Sequence, residues 1–274
     1  MSIIPERSFF KNVEELFSEF VEYFGGFVIE KLDDNDTSNL NADYLFEKPE
    51  IIGELKTFQK DIFSDLNDLP KLENLYEKWR KNRTITEKQF RNHVLRRAPL
   101  PEKCNFDILN SAGKTIERVI YKANKQIGQS KITLKKPEAK GIIFLINDGN
   151  YFFTNEGFLQ VIANIVGRKF KESNFDVIIY LTVNQATFKE GSDLDYNFWV
   201  PIYTKVDDQG ETIVSDELHA FINELGNKFL NDFLTSKTGL SPIGITEIQD
   251  LTDAQVEMKK HNFIPKEVIY NKKN

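Results

Sequence analysis

Two short aliphatic runs constrain this chain more than anything else in it: Gly-Ile-Ile-Phe-Leu-Ile-Asn at 141–147 and Phe-Asp-Val-Ile-Ile-Tyr-Leu-Thr-Val at 175–183. The first in particular is a continuous apolar run, as expected of a strand covered on both sides, and both runs are far too short to cross a bilayer. The intervening segment 155–173 repeats apolar residues at helical spacing. Strands alternating with helices imply a mixed α/β sheet with helices on its faces.

The N-terminal part has a different rhythm. Phe9, Phe10, Val13, Leu16, Phe17, Phe20, Val21 and Phe24 fall on one face of a helix over 9–24, and Gly25-Gly26 supplies its stop. Strands are expected at 27–32, 42–46 and 50–58, with an Asp/Asn/Ser-rich loop at 33–41 and a tight turn at Lys48-Pro49. Residues 59–112 lose the strand pattern and carry helical segments punctuated by Pro70, Pro99 and Pro101. A helix at 113–128, a strand at 199–206 and a helix at 216–234 complete the pattern. The chain therefore reads as an α/β domain from 1–58 and 113–250, a basic helical insertion at 59–112 and a polar tail at 251–274.

A hydrophobic content of 40% over 274 residues can fill a core without staples. Cys104 is the single cysteine, and His93, His219 and His261 are scattered, so neither a zinc site nor a serine or cysteine hydrolase is supported. With no signal peptide or membrane anchor to be read, the expected compartment is the cytoplasm. The net charge of −6 argues against a surface that coats nucleic acid as a whole. That charge is unevenly spread. Lys78, Arg80, Lys81, Arg83, Lys88, Arg91, Arg96 and Arg97 face only Glu87, a local charge of +7, and residues 114–140 carry +6. Such runs serve either as solvated helix faces or as phosphate-binding surface.

Chemistry is concentrated on the third expected strand, Ile51-Ile-Gly-Glu-Leu-Lys-Thr-Phe58, where Glu54 and Lys56 interrupt an apolar segment. Residues two apart on a strand share a face, and a short hairpin would bring Asp43 of the preceding strand alongside them. Two carboxylates held together suit a hard divalent cation such as Mg2+, and an adjacent ammonium can orient a water or neutralise charge on a phosphate. The residues also admit a plainer reading, a cross-face ion pair on a half-exposed strand beside a turn-proximal aspartate.

Asp43 in Asn41-Ala42-Asp43-Tyr44-Leu45-Phe46, followed after ten residues by Glu54-Leu55-Lys56, resembles the PD-(D/E)XK nucleases of the restriction-endonuclease-like fold. The helix-strand-strand-strand-helix-strand order is similar to that core as well, over roughly 9–58 and 113–147. The first motif departs from the family pattern in having Ala42 where a proline is usual. The acid-x-Lys triplet recurs at Glu138/Lys140 and Glu257/Lys259, but only Glu54/Lys56 follows an Asp-bearing strand.

The resemblance implies a Mg2+-dependent endonuclease, with Mn2+ an expected substitute, that hydrolyses DNA phosphodiesters in preference to RNA, in a restriction, defence or recombination setting. It implies Asp43 and Glu54 as metal ligands, Lys56 as catalytic, and Glu14 of the first helix as a further acidic contributor. It also implies Gln126, ahead of Lys122, as the residue that holds the phosphate or the water. Lys78, Arg80, Lys81, Arg83, Arg91, Arg96, Arg97, Lys122 and Lys125 are the expected nucleic-acid contacts. No membrane partner is expected, while a homodimer and a defence-system partner protein stay open. The alternative is a catalytically silent nucleic-acid-binding or scaffold protein of the same fold.

Overall fold

The computed structural model describes residues 10–32, 41–59, 69–95, 97–150, 155–170, 172–184, 197–205 and 212–239. It is an α/β structure with a six-stranded mixed sheet flanked by helices. Helix α1 spans Val13–Tyr23; Asn12 caps it, its side chain accepting from the Glu15 N–H at 3.1 Å. Val13, Leu16, Phe17, Phe20 and Val21 are buried on its inner face. The helix ends where the pattern requires: Gly25 takes φ +90°, and a Cβ at Gly26 would lie 2.6 Å from the Phe46 ring.

Strands β1 (Phe27–Val28), β2 (Tyr44–Phe46) and β3 (Ile51–Phe58) form an antiparallel meander. Strand β4 (Lys140–Asp148) joins β3 in parallel, β5 (Val177–Val183) joins β4 in parallel, and β6 (Trp199–Tyr203) closes the order β1-β2-β3-β4-β5-β6 antiparallel. Pro201 falls inside β6, which is tolerable because among the described residues β6 pairs with β5 alone and is an edge strand. The strand expected over 27–32 is shorter than its sequence suggests. After two residues the Ile29 N–H donates to the Asp43 carbonyl at 2.8 Å, and the chain turns through a 3-10 segment, Ile29–Lys31.

Register assigns the two faces of the sheet. Tyr44, Phe46, Ile51, Leu55, Ile142, Phe144, Ile146, Val177, Ile179 and Leu181 pack in one cluster with α1 and with helix α6 (Asp216–Asn227). By alternation Ile52, Ile143, Leu145, Ile178 and Tyr180, all fully buried, belong to the opposite face.

The helical regions differ from expectation in extent. Helices α2 (Leu69–Lys81) and α3 (Glu87–Val94) precede α4, which runs unbroken from Glu102 to Thr133. Gly113, expected to start a helix, lies inside this one; Val161 of helix α5 (Asn155–Lys169) would stand 3.4 Å from a Cβ there, so its small size serves packing. Helix α6 passes into a π-helical turn, Lys228–Phe233, before helix α7, Leu234–Thr238.

The described residues fall into two compact units. One draws on the described residues between 10 and 59, from 119 to 149 and between 166 and 239, and contains the whole sheet. The other draws on the described residues between 69 and 118 and between 150 and 165; Trp79 is buried in it, its indole donating to Asp107 at 2.8 Å. Among the described residues no helix is long and apolar enough to cross a membrane. The proposed tail at 251–274 lies outside the described residues.

Candidate active site

The antiparallel register Tyr44↔Gly53 continues one step outward, so Asp43 stands opposite Glu54. The Asp43 N–H donates to the Gly53 carbonyl at 3.1 Å, which holds Asp43 on the ladder although β2 begins after it. Directly opposed residues share a face, and Lys56 shares it as well by the two-residue repeat of β3. Asp43, Glu54 and Lys56 therefore project together from the side of the sheet opposite α1.

Each side chain in this group has defined partners. Glu54 is fully buried; its Oε1 accepts from the Lys56 ammonium, and among the described residues its Oε2 meets no N–H donor but has the Asp43 carboxyl beside it as a hydrogen-bond partner for its proton. Asp43 Oδ2 accepts from the Leu55 N–H at 2.7 Å, so the backbone of the Glu-Leu-Lys segment itself orients the aspartate. Burial raises the Glu54 carboxyl to about 8, the charge of Asp43 pushes the same way, and Lys56 offsets only part of this. Burial likewise raises Asp43; the Leu55 N–H and the Lys56 charge oppose it, and Glu14 adds a smaller upward push.

Two crowded carboxyls share one ammonium here, and Glu54, raised to about 8, relieves the crowding by keeping a proton that Asp43 can accept. The donor set, two hard carboxyl groups side by side that a cation would hold ionised, fits a hard divalent ion. Among the described residues no cluster of three or more His, Cys, Asp or Glu side chains encloses a metal position, so the pair would need water or substrate oxygens to complete a coordination sphere.

The accessory residues lie around this group in unequal positions. Glu14 is on α1 and accepts from Thr57 Oγ1 at 3.0 Å, on the other face of β3 from Glu54. Gln126 is buried on α4, and its Nε2 donates to the Asn41 carbonyl at 3.1 Å, while among the described residues its Oε1 has no partner. One turn later Ser130 Oγ accepts from the Ala42 N–H at 2.7 Å. Gln126 thus grips the backbone leading into Asp43. Neither this clamp nor the Leu55–Asp43 bond has a local sequence signal, since the former joins residues 85 and 88 apart.

The basic residues are dispersed. Lys78 pairs with Asp107 at 3.6 Å, and Arg80 pairs with Glu87 at 3.0 Å and lies 5.8 Å over the Phe90 ring. Lys81, Arg83, Arg91 and Arg97 are exposed on the helical unit, and Arg96 lies outside the described residues. Lys122 and Lys125 are exposed on α4. Cys104 is buried with its thiol pushed up to about 11, and His219 is engaged with Tyr203 at 2.8 Å, so neither forms a nucleophile and base pair. Comparison of the chain with protein-family models, with curated proteins and with solved structures finds no match.

Proposed function

We propose that this chain is a metal-dependent nuclease of the restriction-endonuclease-like kind, hydrolysing nucleic-acid phosphodiesters, DNA in preference to RNA. The observation that carries the reading is the fully buried Glu54 carboxyl, set opposite Asp43 so that two carboxyls crowd one lysine. A structural ion pair needs one carboxylate for its lysine. A second carboxylate brought alongside raises the cost of both, which is the arrangement expected of a site tuned for binding or catalysis.

In this reading Asp43 and Glu54 hold Mg2+, or Mn2+ in its place. The bound ion supplies an acidified water and charge stabilisation at the phosphate. Lys56 neutralises charge developing on the phosphate oxygens or holds the attacking water by hydrogen bond. The Leu55 N–H keeps Asp43 turned toward Glu54, and the Gln126–Asn41 and Ser130–Ala42 bonds keep the incoming strand in place. No covalent intermediate with the chain is involved.

The deciding experiment is cleavage of plasmid DNA in magnesium by the full chain and by Glu54→Gln and Asp43→Asn. Loss of cutting in both variants, with the circular-dichroism spectrum unchanged, is the expected result. A parent that binds DNA without cutting it favours the silent scaffold alternative, and variants that cut as well as the parent place the chemistry elsewhere.

A further inference from the structure

The outer flank of α4 carries an arrangement that the proposed chemistry does not use. Tyr121 is 65% exposed, and Arg118, Lys122 and Lys125 beside it are exposed as well. Among the described residues none of these three cations is in an ion pair, whereas Lys78 and Arg80 of the helical unit are both neutralised by neighbouring acids. Unpaired cations in a row, in a chain of net charge −6, leave a local positive field for a polyanion.

Helix geometry relates this flank to the site. Arg118, Lys122 and Gln126 are successive members of one i, i+4 row, and Tyr121 and Lys125 form the adjacent row. Gln126 turns inward and touches Asn41, two residues before Asp43. The row that begins at Gln126 therefore leads outward from the margin of the Asp43–Glu54 group along about 12 Å of helix.

We infer that this flank of α4 binds a single strand of nucleic acid, with the Tyr121 ring as a stacking platform for an unpaired base and Arg118, Lys122 and Lys125 on the phosphates. A base inside a duplex is stacked on its neighbours and offers no free face, so an exposed ring among lysines favours single strands over duplex. The inference rests on the nuclease reading for its biological sense but not for its test, because binding is measured apart from cutting.

The test is fluorescence anisotropy of the full chain, with EDTA present, on labelled oligo(dT), oligo(U) and a duplex of the same length. Tyr121→Ala is expected to weaken single-strand binding about tenfold, the effect of losing one base–aromatic stack, and to leave duplex binding unchanged. Tyr121→Phe, which keeps the ring, is expected to bind as the parent does. Lys122→Ala with Lys125→Ala should lower the slope of log affinity against log salt by about 0.7 for each lysine on a single strand.

An unchanged single-strand affinity in Tyr121→Ala overturns the inference, as does an equal loss on duplex, and as does a parent that binds neither oligo(dT) nor oligo(U). A Tyr121→Phe variant as weak as Tyr121→Ala also overturns it, since the ring would not be the contact. A chain that cuts DNA while Tyr121→Ala binds normally defeats this inference alone. A chain that binds through Tyr121 but never cuts defeats the nuclease reading alone.

Discussion

The Gln126 side chain donates to the Asn41 carbonyl at 3.1 Å, fastening α4 to the backbone two residues ahead of Asp43. With Ser130 accepting from the Ala42 N–H, two consecutive residues are gripped by one turn of helix. The position of the carboxylate just ahead of β2 is thereby decided by helix residues more than eighty positions further along the chain.

Gln126→Ala and Ser130→Ala should each lose one buried hydrogen bond, about 1 kcal/mol, and lower Tm by a few degrees. Because both act on one strand, the double variant should cost less than the two single losses combined. Cleavage should slow while affinity for DNA holds, since the clamp acts through the backbone leading into Asp43. Wild-type Tm and wild-type rate in both single variants would sink the positioning role.

The pH dependence of stability has a definite sign. The folded Glu54 carboxyl is raised to about 8 from an ordinary value of 4.5, so between those values the folded chain keeps a proton that the unfolded chain has released. Stability in metal-free buffer should therefore fall as pH rises through that window, by at most about 1.4 kcal/mol per pH unit, and level off above it. Glu54→Gln should flatten the profile and be the more stable protein at pH 8. Urea midpoints at pH 5 and pH 8 read this directly; a parent more stable at pH 8, or a profile unchanged in Glu54→Gln, contradicts the assignment.

Mg2+ should reverse that penalty by giving the two carboxylates a counter-charge. At a hundredfold excess over its Kd, a cation bound only by the folded chain adds about 2.7 kcal/mol. Thermal melts with and without magnesium should show the shift in the parent and not in Asp43→Asn. Equal shifts in both would place any cation site away from this pair.

Replacing Arg80, Lys81 and Arg83 with Ala tests the helical unit as a phosphate-binding surface. Each genuine contact on duplex contributes about 0.9 to the slope of log affinity against log salt, and the loss should be the same for unrelated sequences. Arg80 already pairs with Glu87, so the smallest change is expected from Arg80→Ala alone. An unchanged slope in the triple variant means that these charges only solvate a helix.

The sequence by itself determined the sheet's central strands and the main helices, because their periods are local properties. The runs at 141–147 and 175–183 could bury both faces only as covered strands, and Val13 to Val21 could bury one face only as a helix. It also placed Glu54 and Lys56 on one face, since the two-residue repeat needs no partner strand. Where a boundary depends on packing, local signals failed. Gly113 reads as a break but sits inside α4 where Val161 approaches, and β1 stops after Val28 because its neighbour β2 is only three residues long. The hairpin at Lys48-Pro49 already brought Asp43 near Glu54, but the tertiary structure alone decided the register that sets them directly opposite, the full burial of Glu54, and the inward turn of Gln126 to Asn41. Each of these depends on register or on contact between residues far apart in the chain, and hydrophobic period carries information about neither.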